Sequence, residues 1–489
     1  MTKTSWPAFC AASIIASEVS FFGLILCTGS IRIPIFKRGA VMSINLCSDS
    51  VPCAEAHSTP TITHPQITYN DLIDDLAAGI KEKKLWKIGV ELEQFAFDKA
   101  TGAALPYEGM PGIRMLLEHF ACKFGWEKIM EDGNPVALVK DGISVTLEPG
   151  GQVEYSGSPV ADVTAAVQEM DSFMQDLNSA AEDCGIGFLR KGLHPDWHRE
   201  DIHWMPKGRY RIMRDYMLKK GRHGIDMMMR SCGAQLNLDF SSEADMVKKF
   251  RVALALQPVI VALMANSAKL DGKDTGYASY RSYVWTQTDP DRCGNLDFVF
   301  SDDMSFASYV DYALDVPMYF LYRDGKYLDT AGLSFRDFMA GKLPGFEGMY
   351  PSIKDWQDHL TTLFPEVRLK RYLELRAADC NSDAMVYAMT AFWAGILYDR
   401  TALDVMHEMV MGWSVALRHM LPELAAKDGL NADLSSVGYD FRQIVTFALD
   451  VAADGLERDE TEAVGILAPF WKKLACTAPE DCGDGAEVA

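Results

Sequence analysis

Apolar and polar residues alternate with a period of two from Lys87 to Phe97, in Lys-Ile-Gly-Val-Glu-Leu-Glu-Gln-Phe-Ala-Phe. This predicts a β-strand with Glu91, Glu93 and Phe95 on one face and Val90, Leu92 and Gln94 on the other. Three later stretches repeat the motif of acidic, amide or basic side chains in close pairs: Leu147-Glu-Pro-Gly-Gly-Gln-Val-Glu154, Gln235-Leu-Asn-Leu-Asp239 and Leu373-Glu-Leu-Arg376. Residues two apart in a strand share a face, so these segments together would build a surface lined with oxygen ligands. The second stretch admits two shapes. If Pro149-Gly-Gly-Gln152 is a tight hairpin, Glu148 faces Val153 and the two glutamates diverge; if it is a kinked strand, Glu148 and Glu154 share a face.

Helical spacing appears first at Leu72, Ile73, Leu76 and Ile80, where the ordered fold is expected to begin, and again near residues 113–124. A long amphipathic helix over 159–184 should stop at Gly185, and another over 242–265 should kink or divide at Pro258. Strands are expected at 137–139 and 143–147, separated by the turn signal Asp141-Gly142, and at 231–240. Residues 205–210 read as a loop, and the pattern beyond residue 384 is mostly helical. The class is α+β, one unit with a helical C-terminal part.

The chain has 489 residues, 11 cysteines and a formal charge of -21. That charge argues against nucleic acid as a partner and against stable membrane association, and it suits small substrates bridged by metal ions. With no Cys-x-x-Cys pair, the cysteines read as reduced thiols in a cytoplasmic protein. Residues 8–28 approach the length of a membrane span but carry Glu18 in the middle. We therefore expect residues 1–41 to be an N-terminal extension, with organelle targeting as the alternative, followed by a leader over 42–65. The catalytic unit is expected over 66–478 and an acidic tail over 479–489. Oligomeric state is not legible.

A carboxylate on a strand face is usually solvated. Glu91, Glu93, Glu148, Glu154 and Glu374 together carry too much negative charge for a closed site unless cations neutralise it, which points to a hard metal ion. Basic groups recur in the same regions: Lys207 and Arg209, Arg281, Arg292, and Arg376 beside Glu374. Arginine suits a bidentate grip on carboxylate or phosphate. No Gly-x-x-x-x-Gly-Lys-Ser/Thr loop is present, so a bound nucleotide would be held through metals and arginines. His194, His198 and His203 have only a superficial metal-like spacing, and Cys232 lacks a histidine near it for nucleophilic catalysis.

These motifs, with Met205-Pro-Lys-Gly-Arg-Tyr210, Asp311-Tyr-Ala-Leu-Asp-Val-Pro-Met-Tyr-Phe320 and Phe364-Pro-Glu-Val-Arg-Leu-Lys-Arg-Tyr372, resemble glutamate–cysteine ligase of the plant and proteobacterial type. The resemblance implies a curved antiparallel sheet of the glutamine-synthetase-like kind. It also implies ATP- and Mg2+-dependent joining of L-glutamate to L-cysteine through a γ-glutamyl phosphate, the first step of glutathione synthesis. Carried over by motif position, Glu91, Glu93, Glu148, Glu154 and Glu374 would hold magnesium, and Gln235, Asn237 and Lys207 would line the nucleotide region. Arg209, Arg281 and Arg376 would serve catalysis, and Arg209, Arg281, Arg292 and Tyr319 would contact the amino-acid substrates. Where plant members place a regulatory disulfide, this chain has Val167 and Tyr387, although Cys380 lies close to the second position. Reductant is therefore expected to leave activity largely unchanged, and Glu374→Gln to depress magnesium-dependent ligation with the fold intact. The rivals are a ligase with another amine acceptor and a non-catalytic binding protein of the same fold.

Overall fold

The computed structural model describes residues 66–476. The expected extension 1–41, the leader 42–65 and the tail 479–489 lie outside the described residues.

Nine strands form one open sheet. They are β1 (Ile88–Asp98), β2 (Glu127–Glu131), β3 (Asn134–Lys140), β4 (Ile143–Leu147), β5 (Val153–Ser156), β6 (Ile186–Leu189), β7 (Gly233–Leu238), β8 (Val367–Leu369) and β9 (Leu373–Asp379). The order is β8-β9-β7-β1-β5-β4-β3-β2, with β6 also paired to β1, and these pairings are antiparallel. The alternation along β1 sets the two faces. Val90 and Leu92 lie with Leu147, Val153, Tyr155, Leu236, Leu238, Leu373 and Leu375 in the hydrophobic core. The helices Val163–Asp183, Glu243–Met264 and Asp383–Tyr398 cover that face. The opposite face carries the polar pairs, because Glu91 pairs with Ser156 on one side and Gln235 on the other, and Glu93 with Glu154.

The 147–154 segment is a hairpin, and its two glutamates still share a face. Leu147 pairs with Val153, which sets Glu148 opposite Gln152, not opposite Val153. Glu148, Gln152 and Glu154 therefore alternate onto the polar side together. Gly151 closes the turn at φ 83°, where a glycine is unstrained, and its N–H donates to the Glu148 carbonyl at 2.9 Å.

Other departures from the sequence reading have local causes. Strand β2 escapes the pattern because Glu-Lys-Ile-Met-Glu buries only Ile129, as an edge strand allows. The helix expected from 159 begins at Val163, capped by Asp162, while Val160 bridges back to Ile88. Helix Glu243–Met264 runs through Pro258 as one element, since burial on nearly all sides holds it in place. Part of the 205–210 loop is the first turn of helix Gly208–Met217, which positions Arg209 and Tyr210. Among the described residues no helix is long and apolar enough to cross a membrane.

Candidate active site

An open cavity lies over the polar face of the sheet. The sheet supplies Glu91, Glu93, Glu148, Glu154, Gln235, Glu374 and Arg376 to its lining. Helix Gly208–Met217 adds Arg209, and helix Tyr280–Thr286 adds Arg281 and Trp285. Gly233 makes Arg281 possible: a Cβ there would fall 2.4 Å from the guanidinium Nη2. The Gly233 N–H also donates to Glu93 Oε2 at 2.7 Å, so one glycine orders both an arginine and a carboxylate.

The acidic groups fall into two electrostatic classes. Burial, then repulsion from Glu374 and Glu154, pushes the Glu91 carboxyl up to about 7. Burial, then Glu148 and Glu154, pushes Glu93 up to about 8. Glu154 rises to about 7 through burial and Glu148, although the Thr146 hydroxyl donates to it. Glu148 is also raised, chiefly by burial, against the pull of Lys207, Arg209 and Arg376. Glu374 behaves oppositely. Burial would raise it, but Arg368, Lys370 and Arg376 hold it well below the usual carboxylate range. Arg368 Nε and Nη2 donate to Glu374 at 3.0 and 2.5 Å, Lys370 Nζ lies 2.8 Å away, and Arg376 completes the set.

That ion cluster changes the expectation for Glu374→Gln. Three cations would lose a buried counter-ion, so the variant should lose about 3 kcal/mol of stability as well as activity, read by chemical denaturation. An unchanged midpoint would show that the cluster contributes no net stability.

Arg209, Arg281, Arg376, Gln235 and the five glutamates meet at the cavity. Asn237 lies beneath it, donating from Nδ2 to Glu91 Oε1 at 2.7 Å. Lys207 is also behind the lining, where its ammonium donates to the Leu147 carbonyl at 3.0 Å. Arg292 and Tyr319 are not brought into the cavity. Arg292 is spent on Asp289 Oδ2 at 2.6 Å and on the carbonyls of Thr362 and Pro317 at 3.0 and 2.8 Å, with its guanidinium 3.8 Å from the Tyr319 ring. It braces Thr362, which does line the cavity.

The residues the sequence reading passed over are Arg368 and Lys370, with an apolar wall that includes Met213, Met227, Phe320 and Phe364. A signal for the first two existed: they stand two apart around Leu369, with the same parity as Glu374 and Arg376 across the hairpin. His194 is no metal ligand; it stacks on Trp197 at 3.6 Å, and its Nδ1 accepts from the Trp197 N–H. Cys232 is fully buried and burial pushes its thiol well up, which disfavours the thiolate. Cys380 is free, so no shifted bridge forms there, and Tyr387 donates a hydrogen bond to Asp171 between the two helices concerned. Cys476 is disulfide-bonded, which corrects the reading of all cysteines as thiols.

The donor set fits Mg2+. Among the described residues no three His, Cys, Asp or Glu side chains converge closely enough to hold a metal by themselves. Magnesium ordinarily takes one or two carboxylates and shares its remaining positions among waters and phosphates, which is what carboxylates spread around an open cavity offer.

The sequence model described as glutamate-cysteine ligase family 2 (GCS2) matches residues 87–469. The chain belongs to this family. It is 47% identical over 416 residues to the glutamate–cysteine ligase, chloroplastic, of Medicago truncatula, covering 84% of this chain and 81% of that one. The corresponding Arabidopsis thaliana protein is 45% identical over 448 residues, covering 92% and 84%. The glutamate–cysteine ligase of Francisella tularensis solved with AMP aligns at a TM-score of 0.48 and 13% identity, over 81% of this chain and 82% of that one. The expectation of a cytoplasmic protein is overturned by these family members, since the Medicago and Arabidopsis relatives are designated chloroplastic. Net charge and cysteine spacing describe surface and redox chemistry, and neither fixes a compartment.

Proposed function

We propose that this chain joins the γ-carboxyl of L-glutamate to the α-amino group of L-cysteine at the expense of ATP. The observation that carries the reading is one cavity in which mutually repelling glutamates stand beside Arg209, Arg281, Arg368, Lys370 and Arg376. A carboxylate is a poor acyl donor, so it is first converted to an acyl phosphate, and both steps gather negative charge that a protein must offset.

Bound Mg2+ supplies positive charge at the phosphate oxygens. Glu91, Glu93, Glu148 and Glu154 would hold it, with Glu374 at the margin because its charge is already matched by three cations. Asn237 and Lys207 act from beneath, fixing Glu91 and the Leu147 backbone, while Gln235 stands between Glu93 and Arg376. Arg376 is aimed at the transferring phosphate, and Arg209 and Arg281 at phosphate or substrate carboxylate. Arg292 and Tyr319 act on substrates only by bracing the 361–364 segment. The amine then attacks the acyl carbon, the acyl–oxygen bond breaks, and phosphate departs with the electron pair.

The test is direct. Purified protein with ATP, MgCl2, L-glutamate and L-cysteine should yield ADP and γ-glutamylcysteine in equal amounts by mass spectrometry. ADP release indifferent to either amino acid would overturn the reading.

A further inference from the structure

Helix Tyr280–Thr286 brings Arg281 and Trp285 to the cavity wall, yet it has only 7 residues, too few to be stable alone. A helix leaves its first N–H groups without partners of its own. Here each finds one just outside. The Tyr280 N–H donates to the Ser267 carbonyl at 3.1 Å, the Arg281 N–H to Ser267 Oγ at 3.1 Å, and the Ser282 N–H to Ser279 Oγ at 3.3 Å.

Both serine hydroxyls end on one carboxylate. Ser267 Oγ donates to Asp379 Oδ2 at 2.7 Å and Ser279 Oγ to Asp379 Oδ1 at 2.9 Å, while the Asn266 N–H also donates to Oδ2 at 2.9 Å. A carboxylate only accepts, and a hydroxyl has a single hydrogen to give. Asp379 takes that hydrogen from each serine and so leaves both oxygens as acceptors for the helix. Asp379 is 1% exposed, and Gly192 makes room for it, since a Cβ there would fall 2.4 Å from the carboxylate Cγ. Burial pushes its carboxyl up, against the pull of Arg281 and the three donors.

Asp379 is also the last residue of β9, the strand that bears Glu374 and Arg376. The Arg281 guanidinium returns to that strand, with Nη1 donating to the Ala377 carbonyl at 3.1 Å and Nη2 to that of Arg376 at 3.4 Å. Arg281 is thus tied to β9 through its backbone and through its tip.

We propose that Asp379 is a positioning residue for the ligation, setting Arg281 against Arg376 through Ser267 and Ser279. The inference rests on the ligase reading and extends it to a group that does not itself line the cavity.

Asp379→Asn in the full chain tests it. The Asn266 N–H bars the new amide nitrogen from its own side, so that nitrogen must face Ser279, whose oxygen already accepts from Ser282. Arg281→Lys, which keeps the charge, identifies the kinetic parameter that depends on Arg281. Asp379→Asn should worsen that same parameter by about tenfold, with the others within about twofold, because a misplaced group loses rate while keeping its charge. With both changes in one chain, the loss should exceed that of Arg281→Lys by less than about twofold, since both act on one set of contacts. Hydrogen exchange gives a readout independent of turnover: the amides of 280–286 should exchange at least about tenfold faster in Asp379→Asn, with Glu243–Met264 unchanged. Should that variant fail to fold, Ser279→Ala removes only the capping hydroxyl and carries the same expectations. If the wild type makes no γ-glutamylcysteine, the ligase reading fails, and exchange over 280–286 alone decides whether Asp379 holds the helix. Additive losses, a change spread over every parameter, wild-type kinetics in Arg281→Lys, or unchanged exchange over 280–286 would overturn the proposal.

Discussion

Replacing Arg376 with alanine should lower kcat for ADP-forming ligation by about 10²–10³-fold, the usual loss when one preorganised donor to a developing anion is removed. The side chain reaches the cavity from β9, where its Nη1 donates to Gln235 Oε1 at 2.5 Å and also to Glu374. Both neighbours hold it in the extended position before any ligand arrives. Removing it leaves Glu374 still matched by Arg368 and Lys370, so the variant should fold with a denaturation midpoint close to wild type. Arg376→Lys should recover only part of the rate, because an ammonium keeps the charge but loses the planar fork. Coupled ADP release at saturating substrates measures both variants; rates within fivefold of wild type for Arg376→Ala would remove this residue from the phosphate-stabilising role.

The two chemical classes around the cavity explain what could be read in advance. Period-two parity is a local property, so Glu91 with Glu93 and Glu374 with Arg376 could be assigned to shared faces from sequence. Register is not local. Glu148 and Glu154 share a face only because the three-residue turn at Pro149–Gly151 sets Leu147 against Val153, and that pairing is decided by turn geometry. Arg292 shows a different limit. An arginine in a Pro-Asp-Arg-Cys-Gly context has the same composition whether it grips a substrate or three groups of its own protein, and only the positions of Asp289, Thr362 and Pro317 distinguish the two. The short helix at Arg209 was hidden for a related reason: its apolar face is only Tyr210, Ile212, Tyr216 and Met217, too brief a period to stand out beside a glycine start.

The raised carboxylates give the strongest contrast between stability and function. Glu154 lies directly across from Glu93 and near Glu148, and its carboxyl is pushed up to about 7. An acid whose folded pKa exceeds its unfolded value weakens the fold as pH rises between those values. The penalty is absent below the ordinary carboxylate range, grows as the unfolded chain ionises, and is complete above about 7. Glu154→Gln removes it while keeping shape, and the Thr146 hydroxyl can turn to serve an amide as readily as a carboxylate. The variant should therefore be more stable than wild type at pH 8 by on the order of 2 kcal/mol, with the gain vanishing near pH 4. Its magnesium-dependent turnover should nevertheless fall by about 10² or more, because the negative charge that weakens the fold is what would hold the cation. Urea denaturation at the two pH values and turnover titrated with MgCl2 check both halves. A variant less stable than wild type at pH 8 would show that Glu154 is held by favourable contacts, and full activity at ordinary magnesium would place the cation elsewhere.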